Sequence, residues 1–174
     1  SDPSQRYGVE FANYYEPSAW VSLDADASYS RARFTKTVVD DDVGRSGKHV
    51  PEAVESVVAT GISFHQPGDT GFFSELRLRY FGPRDLSVSG KPRSGATALL
   101  SANLGYRLNE HVTLAAELFN ILDRKDHDID YYYSSYVTGV DPTPAPGAAP
   151  EGVNDVHFKP VEPISFRIAL TVKF

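Results

Sequence analysis

The chain has 174 residues, of which 41% are hydrophobic, and this is enough apolar material for one domain. Its formal net charge is −6 and it contains no basic stripe, which argues against a nucleic-acid partner. It contains no cysteine, which excludes disulfides and thiolate metal sites. No apolar run reaches the roughly 18 residues of a membrane-spanning helix, but a closed β-barrel shows lipid only every second residue and is compatible with this composition.

Apolar and polar residues alternate in segments along the whole chain, and a period of two predicts β-strands. The clearest segment is WVSLDADASYS, in which one face is apolar and the other is wholly polar. In chain order the predicted strands cover about residues 7–15, 20–30, 55–64, 72–80, 98–107, 112–122 and 165–174. They predict an all-β fold, an antiparallel up-and-down meander of about seven strands.

The sixth segment, VTLAAELFNIL, is ambiguous. Its Leu, Ala and Glu content favours a helix that Asn109 could cap, while its apolar residues also alternate as in a strand. It lies between two strands and behind a tight turn, so a strand is predicted here.

The breaks between the predicted strands alternate in length. Those at 16–19, 65–71 and 108–111 are short, and those at 34–54, 82–95 and 122–160 are long. In an up-and-down meander the short turns therefore share one end of the sheet and the long loops share the other, which is typical of outer-membrane barrels.

Aromatic residues stand eight positions apart on the apolar faces of three predicted strands, at Tyr7 and Tyr15, Phe72 and Tyr80, and Phe166 and Phe174. Eight residues of a tilted strand project to roughly 20 Å, close to the roughly 25 Å apolar band between two aromatic girdles. The spacing therefore predicts a girdle. Its predicted members are Tyr7, Tyr15, Tyr29, Phe72, Tyr80 and Tyr106.

Four stretches resemble TonB-dependent outer-membrane receptors and follow the order found in that family. YYEPSAWVSLDADASYSRARF is similar to one of their hairpins, and YFGPRDL to a recurrent loop opening. RSGATALLSANLGYRLNEHVTLAAELFNILDRKDHDIDYYYSSY resembles their penultimate hairpin with the following ascending strand, and HFKPVEPISFRIALTVKF resembles their closing strand. The resemblance covers nearly the whole chain.

The resemblance implies a segment of a transmembrane β-barrel of about 22 strands with a plugged lumen, located in the outer membrane of a Gram-negative bacterium. Residues 1–174 would be the C-terminal part of that barrel, without the plug domain and the earlier strands. The expected function is uptake of a scarce ligand such as an iron–siderophore chelate, with energy supplied through TonB. The expected partners are outer-membrane lipid, the rest of the barrel and plug, TonB and the barrel-assembly machinery, and no cofactor is expected.

The final strand is similar to the sorting signal that the assembly machinery reads in such receptors. The candidate residues are Phe166, Ile168, Leu170, Val172 and Phe174. Recognition by strand addition would use the backbone for pairing and alternate side chains for specificity. These side chains could instead serve only to face lipid, and the two roles are compatible.

The polar faces of the predicted strands carry a set of residues that we expect to face the barrel lumen. They are Asp24, Asp26, Glu75, Arg77, Arg79, Asn103, Arg107 and Glu117. Opposite charges on neighbouring strands can pair and fix the register. The resemblance implies that such residues contact the plug, and this structural role is preferred to direct ligand binding.

Other clusters give weaker indications. The acidic residues of DRKDHDID and of the 40–42 triplet offer oxygen ligands for a hard cation, but no EF-hand spacing is present, so a solvated loop base and no metal site are expected. The tyrosines of YYYSSY suit an interfacial belt better than a ligand-stacking site. No GxSxG, HExxH or P-loop motif occurs, so no enzymatic activity is expected.

Two other interpretations remain open. A self-contained small outer-membrane barrel with a structural or adhesive role needs an even strand count, and therefore an eighth strand within 122–160. A soluble β-protein that binds a small ligand needs its apolar faces to form one dry interior and its charged strand residues to face solvent. An isolated seven-stranded sheet has two unpaired edges, so we predict that the isolated chain self-associates or needs detergent.

Overall fold

The computed structural model describes residues 2–41, 44–144, 148 and 152–174. All regular elements in these residues are β-strands. They are β1 (Ser4–Ser18), β2 (Val21–Asp40), β3 (Arg45–His49), β4 (Ser56–His65), β5 (Gly71–Phe81), β6 (Thr97–Arg107), β7 (Val112–Phe119), β8 (His127–Ser135), β9 (Val153–Pro160) and β10 (Ser165–Val172). The same residues include no helix with the length and apolar character needed to cross a membrane.

Seven of the strands form the predicted meander. Their order in the sheet is β1-β2-β4-β5-β6-β7-β10, and each pairs antiparallel with the next. The ambiguous sixth segment is strand β7, which pairs with β6 on one side and with β10 on the other. Two-sided pairing explains why tertiary context overrides its helical composition. The all-β meander and the placement of short turns at one end are confirmed.

Two of the long breaks contain strands that the alternation pattern did not predict. Strand β2 continues to Asp40 because the stretch TKTVV is rich in β-branched residues, which favour strands. Gly44, with φ of 63°, turns the chain back into β3, which pairs with the end of β2. The expectation of an irregular stretch from 34 to 54 is therefore wrong over most of its length.

The last long loop also contains regular structure. Strands β8 and β9 pair with each other and form a separate two-stranded sheet. Within the described residues they contribute no strand to the meander, which keeps its path of seven. The eighth wall strand required by a small closed barrel is therefore not found in the described part of 122–160.

The two faces of the meander differ in chemistry. One row across the sheet joins Leu23, Ile62, Leu76, Ala102 and Leu118 on consecutive strands. Leu23 and Leu76 on this face are exposed, because nothing in the described chain covers them. An exposed apolar sheet face of this kind is what a membrane barrel presents to lipid.

The buried apolar residues lie mainly at the long-loop end rather than between layers of strands. Among the described residues, the buried hydrophobic side chains are Ala32, Leu86, Val88 and Val161. A soluble β-protein would enclose its apolar strand face in one dry interior, and this sheet does not. Strands β1 and β10 stand at the two ends of the described sheet, with β2 and β7 as their respective neighbours.

Candidate functional site

The eight residues predicted to face the lumen all lie on one face of the meander, opposite the apolar rows. Register places Glu75 against Asn103 and Asn103 against Glu117, and it places Gly61 between Asp24 and Arg77. The remaining members are an even number of residues away along the same strands and share this polar face. The strand period of two brings them together because successive side chains point to opposite sides.

The centre of the polar face is an ion pair that crosses a whole strand. Arg77 on β5 contacts Asp24 on β2 through two bonds, Nη1 to Oδ2 at 3.2 Å and Nη2 to Oδ1 at 3.1 Å. The same guanidinium contacts the Glu75 carboxylate, with Nη2 2.6 Å from Oε1. Strand β4 runs between the partners, and Gly61 is its residue at the crossing. A Cβ at Gly61 would lie 2.7 Å from Asp24 Oδ1, so the missing side chain leaves room for the pair.

The other members of the polar face are arranged in different ways. Glu117 pairs with Arg167 on the neighbouring strand at 3.3 Å. The Arg107 guanidinium carbon lies 5.1 Å from the centroid of the Phe73 ring, within cation–π range. The Asn103 Oδ1 atom is buried and has no hydrogen-bond partner among the described residues. Asp26, although it shares a row with Arg79, does not form an ion pair with it.

The predicted girdle residues lie on the apolar face, at both of its margins. Phe72 is directly opposite Tyr106 near the short turns, and Tyr29 stands opposite Val9 near the long loops. The side chains of Tyr7, Tyr15, Tyr29, Phe72 and Tyr106 are exposed, while Tyr80 is half-buried. Aromatic side chains at two levels of an exposed apolar face are the arrangement found in membrane-interface belts.

The candidate assembly signal lies on the strand at one end of the described sheet. Ile168 and Leu170 stand opposite Ala116 and Leu114 of β7, and the five candidate side chains are all exposed. Phe174 follows the last residue of β10. The apolar side chains of this strand, and its backbone edge that has no partner among the described residues, are therefore available together to an incoming strand.

The long-loop end contains a buried carboxylate that the sequence pattern did not single out. Asp85 is 4% exposed and is contacted by Arg33 at 3.5 Å, by Arg93 at 3.2 Å and by the His49 ring. It therefore ties the loop after β5 to strands β2 and β3. The only signal in the sequence was its place in YFGPRDL, the stretch that resembles a family loop opening.

Arg45 joins all three long segments. Its Nη1 atom donates to the Lys91 carbonyl oxygen at 2.9 Å, and its Nη2 atom donates to the Tyr132 hydroxyl at 3.0 Å. The guanidinium carbon also lies 5.1 Å from the centroid of the Tyr132 ring. Strand β3, the loop after β5 and the β8–β9 hairpin are thus held by one side chain, which explains why Tyr132 is less exposed than its neighbours Tyr131 and Tyr133.

The acidic stretch at the base of the hairpin is only partly the solvated cluster that was expected, because Asp123 and Asp128 are exposed whereas Asp130 is not. Asp130 is 2% exposed and contacts the His127 ring, and Lys159 contacts Asp128 at 3.2 Å. The Arg124 guanidinium holds the pKa of Asp126 below its usual range. Asp126, Asp128 and Asp130 are thus engaged by separate basic groups, two of them close in sequence and one on β9. The described residues contain no grouping suited to a metal ion. Asp42 of the other acidic triplet lies outside the described residues.

A meander with one exposed apolar face, one polar face crossed by ion pairs, and long loops at a single end is part of the wall of a transmembrane β-barrel. The family model described as TonB dependent receptor-like, beta-barrel matches residues 2–121, and the chain belongs to this family. The resemblance drawn from the four sequence stretches is thereby confirmed. Comparison with curated proteins gave no match.

Two solved structures share the fold. The ferric yersiniabactin uptake receptor FyuA from Yersinia pestis is 18% identical, with a TM-score of 0.64, and the match covers 98% of this chain and 24% of that one. The copper transporter OprC is 16% identical, with a TM-score of 0.63 and the same coverage, 98% and 24%. The chain thus spans about a quarter of the length of the structures it matches.

Membership of this family gives the cellular location of the chain. Members of this family are outer-membrane proteins of Gram-negative bacteria, and the chain is an outer-membrane β-barrel protein. They are transporters rather than enzymes, which agrees with the prediction that the chain has no enzymatic activity.

Proposed function

We propose that residues 1–174 form the C-terminal part of the barrel wall of a TonB-dependent receptor that imports a scarce ligand. The two-faced sheet carries this proposal. Its apolar face is exposed where lipid would lie, and its polar face contains the ion pair of Arg77 with Asp24 where a water-filled or plugged lumen would lie. The girdle and lumen assignments made from the sequence are parts of the same proposal.

The two ends of the sheet indicate which partners the wall requires. Strands β1 and β10 each have one neighbour in the described sheet, and unpaired strand edges seek further strands. We expect the rest of the barrel to pair with both edges and a plug to contact the polar face. We also expect the assembly machinery to read the exposed side chains of β10, and TonB to supply energy to the whole receptor.

An iron–siderophore chelate is the first cargo to test. FyuA is described as a ferric yersiniabactin uptake receptor, which makes a ferric chelate a natural starting point. OprC is described as a copper transporter and shares the fold equally well, so copper is the second candidate.

The wall assignment is testable with cysteines introduced one at a time into residues 1–174, which contain none, in a polypeptide freed of cysteines elsewhere. Leu104 and Asn103 are adjacent on β6 and lie on opposite faces. In outer-membrane vesicles, Asn103→Cys should react with a small charged thiol reagent, and Leu104→Cys only with a lipophilic one. The reverse reactivity, or equal reactivity of both, would contradict the assignment of the two faces.

The transport assignment needs a separate experiment. A strain that lacks the polypeptide carrying this chain should lose uptake of one radiolabelled ferric siderophore from a panel, or of copper, and complementation should restore it. The native polypeptide in a heat-denatured outer-membrane fraction should be several-fold larger than 19.1 kDa. Normal uptake of every compound tested, or a band near that mass, would count against an import receptor.

A further inference from the structure

A cavity of about 210 Å³ lies where the base of the β8–β9 hairpin folds over the polar face of the meander. The sheet contributes Arg79 and Ser101, the hairpin contributes Asp128 and Lys159, and the exposed Glu162 lines the cavity just after the hairpin. A water molecule takes up about 30 Å³ of the liquid, so the cavity has room for a small organic anion. The long-loop end, where the cavity lies, is the end that faces outward in barrels of this kind.

Arg79 is an unpaired cation at this cavity. It is exposed and makes no hydrogen bond or ion pair among the described residues. Lys159 differs from it, because Lys159 already contacts Asp128 at 3.2 Å. The guanidinium of Arg79 is therefore available to a partner from outside the described chain.

A comparison of two neighbouring rows explains why Arg79 is free. In one row Asp24 and Arg77 pair across Gly61; in the next row Ala59 stands between Asp26 and Arg79. A Cβ at the glycine would lie 2.7 Å from the Asp24 carboxylate and 3.2 Å from Arg77 Nη2. Ala59 carries a Cβ at the equivalent crossing point, and we attribute the absence of the second pair to it.

We propose that Arg79 is the anion-binding residue of a subsite in this cavity, and that its ligand is a small solute bearing a carboxylate group. The planar guanidinium presents two parallel donors that match a carboxylate, and the Ser101 hydroxyl on the neighbouring strand offers a further donor. The inference rests on the proposed function in one respect, namely that the polar face is the interior of the barrel.

The test measures binding of citrate, a carboxylate probe, to the detergent-extracted full-length polypeptide by titration calorimetry. Arg79→Gln should weaken citrate binding by about tenfold or more, the effect of losing a charge-assisted pair, and Arg79→Lys should recover part of it. Arg31→Gln is the matched control: it removes the same charge from the opposite face and should leave citrate affinity unchanged.

Two further variants separate the free guanidinium from general damage. Ala59→Gly should allow Asp26 to pair with Arg79 and should therefore weaken citrate binding, although residue 59 does not line the cavity. Adding Asp26→Asn to Ala59→Gly should restore the affinity. Unchanged binding in Arg79→Gln, equal loss in Arg31→Gln, or no recovery in the double variant would each overturn the proposal.

The citrate measurement is independent of the uptake measurement. If Arg79-dependent binding is found and no compound is imported, the transport proposal fails and the subsite stands. If uptake is normal in the parent polypeptide and Arg79→Gln binds citrate unchanged, the subsite fails and transport stands.

Discussion

Gly61 should control whether Asp24 and Arg77 interact at all. Introducing alanine puts a Cβ 2.7 Å from Asp24 Oδ1 and 3.2 Å from Arg77 Nη2. A Cβ atom essentially never lies closer than 3.0 Å to a non-bonded heavy atom, and the atom in the way is the movable end of a side chain. We therefore expect Gly61→Ala to displace the carboxylate and break the pair, with the backbone of β4 unchanged.

The net stability of Gly61→Ala will not reveal this effect. The lost pair is partly exposed, with side-chain exposures of 22% for Asp24 and 37% for Arg77, and pairs of this kind contribute about 0.2–1 kcal/mol. Replacing a glycine inside a strand gains about 0.5–1 kcal/mol from reduced backbone entropy. The two changes nearly cancel, so the free energy of unfolding should change by less than about 1 kcal/mol.

A double-mutant cycle isolates the interaction. The coupling free energy between Asp24→Asn and Arg77→Gln should be about 0.5–1 kcal/mol with glycine at position 61 and near zero with alanine there. Unfolding of the full-length polypeptide by denaturant in lipid vesicles supplies the four free energies in each background. A coupling that survives in the alanine background would refute the view that the pair depends on the missing side chain.

Substitutions at three positions test the long-loop end. Arg45→Met should raise hydrogen–deuterium exchange throughout β8, and Arg45→Lys should rescue it only in part because lysine lacks the planar fork; unchanged exchange in Arg45→Met would argue against a tether. Asn120→Gly keeps the left-handed φ of 48° but removes three side-chain hydrogen bonds, two of them to Arg124, and should cost about 1–3 kcal/mol in denaturant unfolding. The pKa of Asp126 is lowered on folding, chiefly by Arg124, so its contribution to stability is complete above the unfolded pKa and is lost as the pH falls through the folded value. Hydrogen–deuterium exchange at the base of the hairpin should therefore increase as the pH falls through that value, and Asp126→Asn should abolish this increase.

The meander and its two faces were predictable because each depends on a local pattern. Strict alternation in WVSLDADASYS and SFRIALTVKF assigns every side chain to a face once the segment is known to be a strand. The polar face of eight residues follows from that alternation alone. Family resemblance was needed only to identify which kind of barrel the strands build.

The long-loop end was not predictable, because its contacts join residues far apart in sequence. Arg45 and Tyr132 are separated by 87 positions, and His49 and Asp85 by 36. Gly, Pro and Ser in GPRDLSVSGKPRSG indicated a loop correctly, but composition does not report that Leu86 and Val88 in that loop are buried. The free state of Arg79 was equally hidden, since it depends on which residue of β4 stands opposite it.

The direction of the strands restricts what can complete the sheet. β1 and β10 occupy the first and seventh places of an antiparallel series, so they run in the same direction. A second copy in the same membrane orientation would place β10 beside β1 in parallel, whereas a meander barrel requires antiparallel neighbours. Copies of this chain could pair antiparallel only if one of them were inverted relative to the other. Chains in solution can adopt this arrangement, but chains inserted into the membrane by the same assembly machinery all have one orientation and cannot. We therefore expect the isolated chain to self-associate outside the membrane, and we expect both edges in the membrane to be covered by oppositely directed strands from the rest of the barrel.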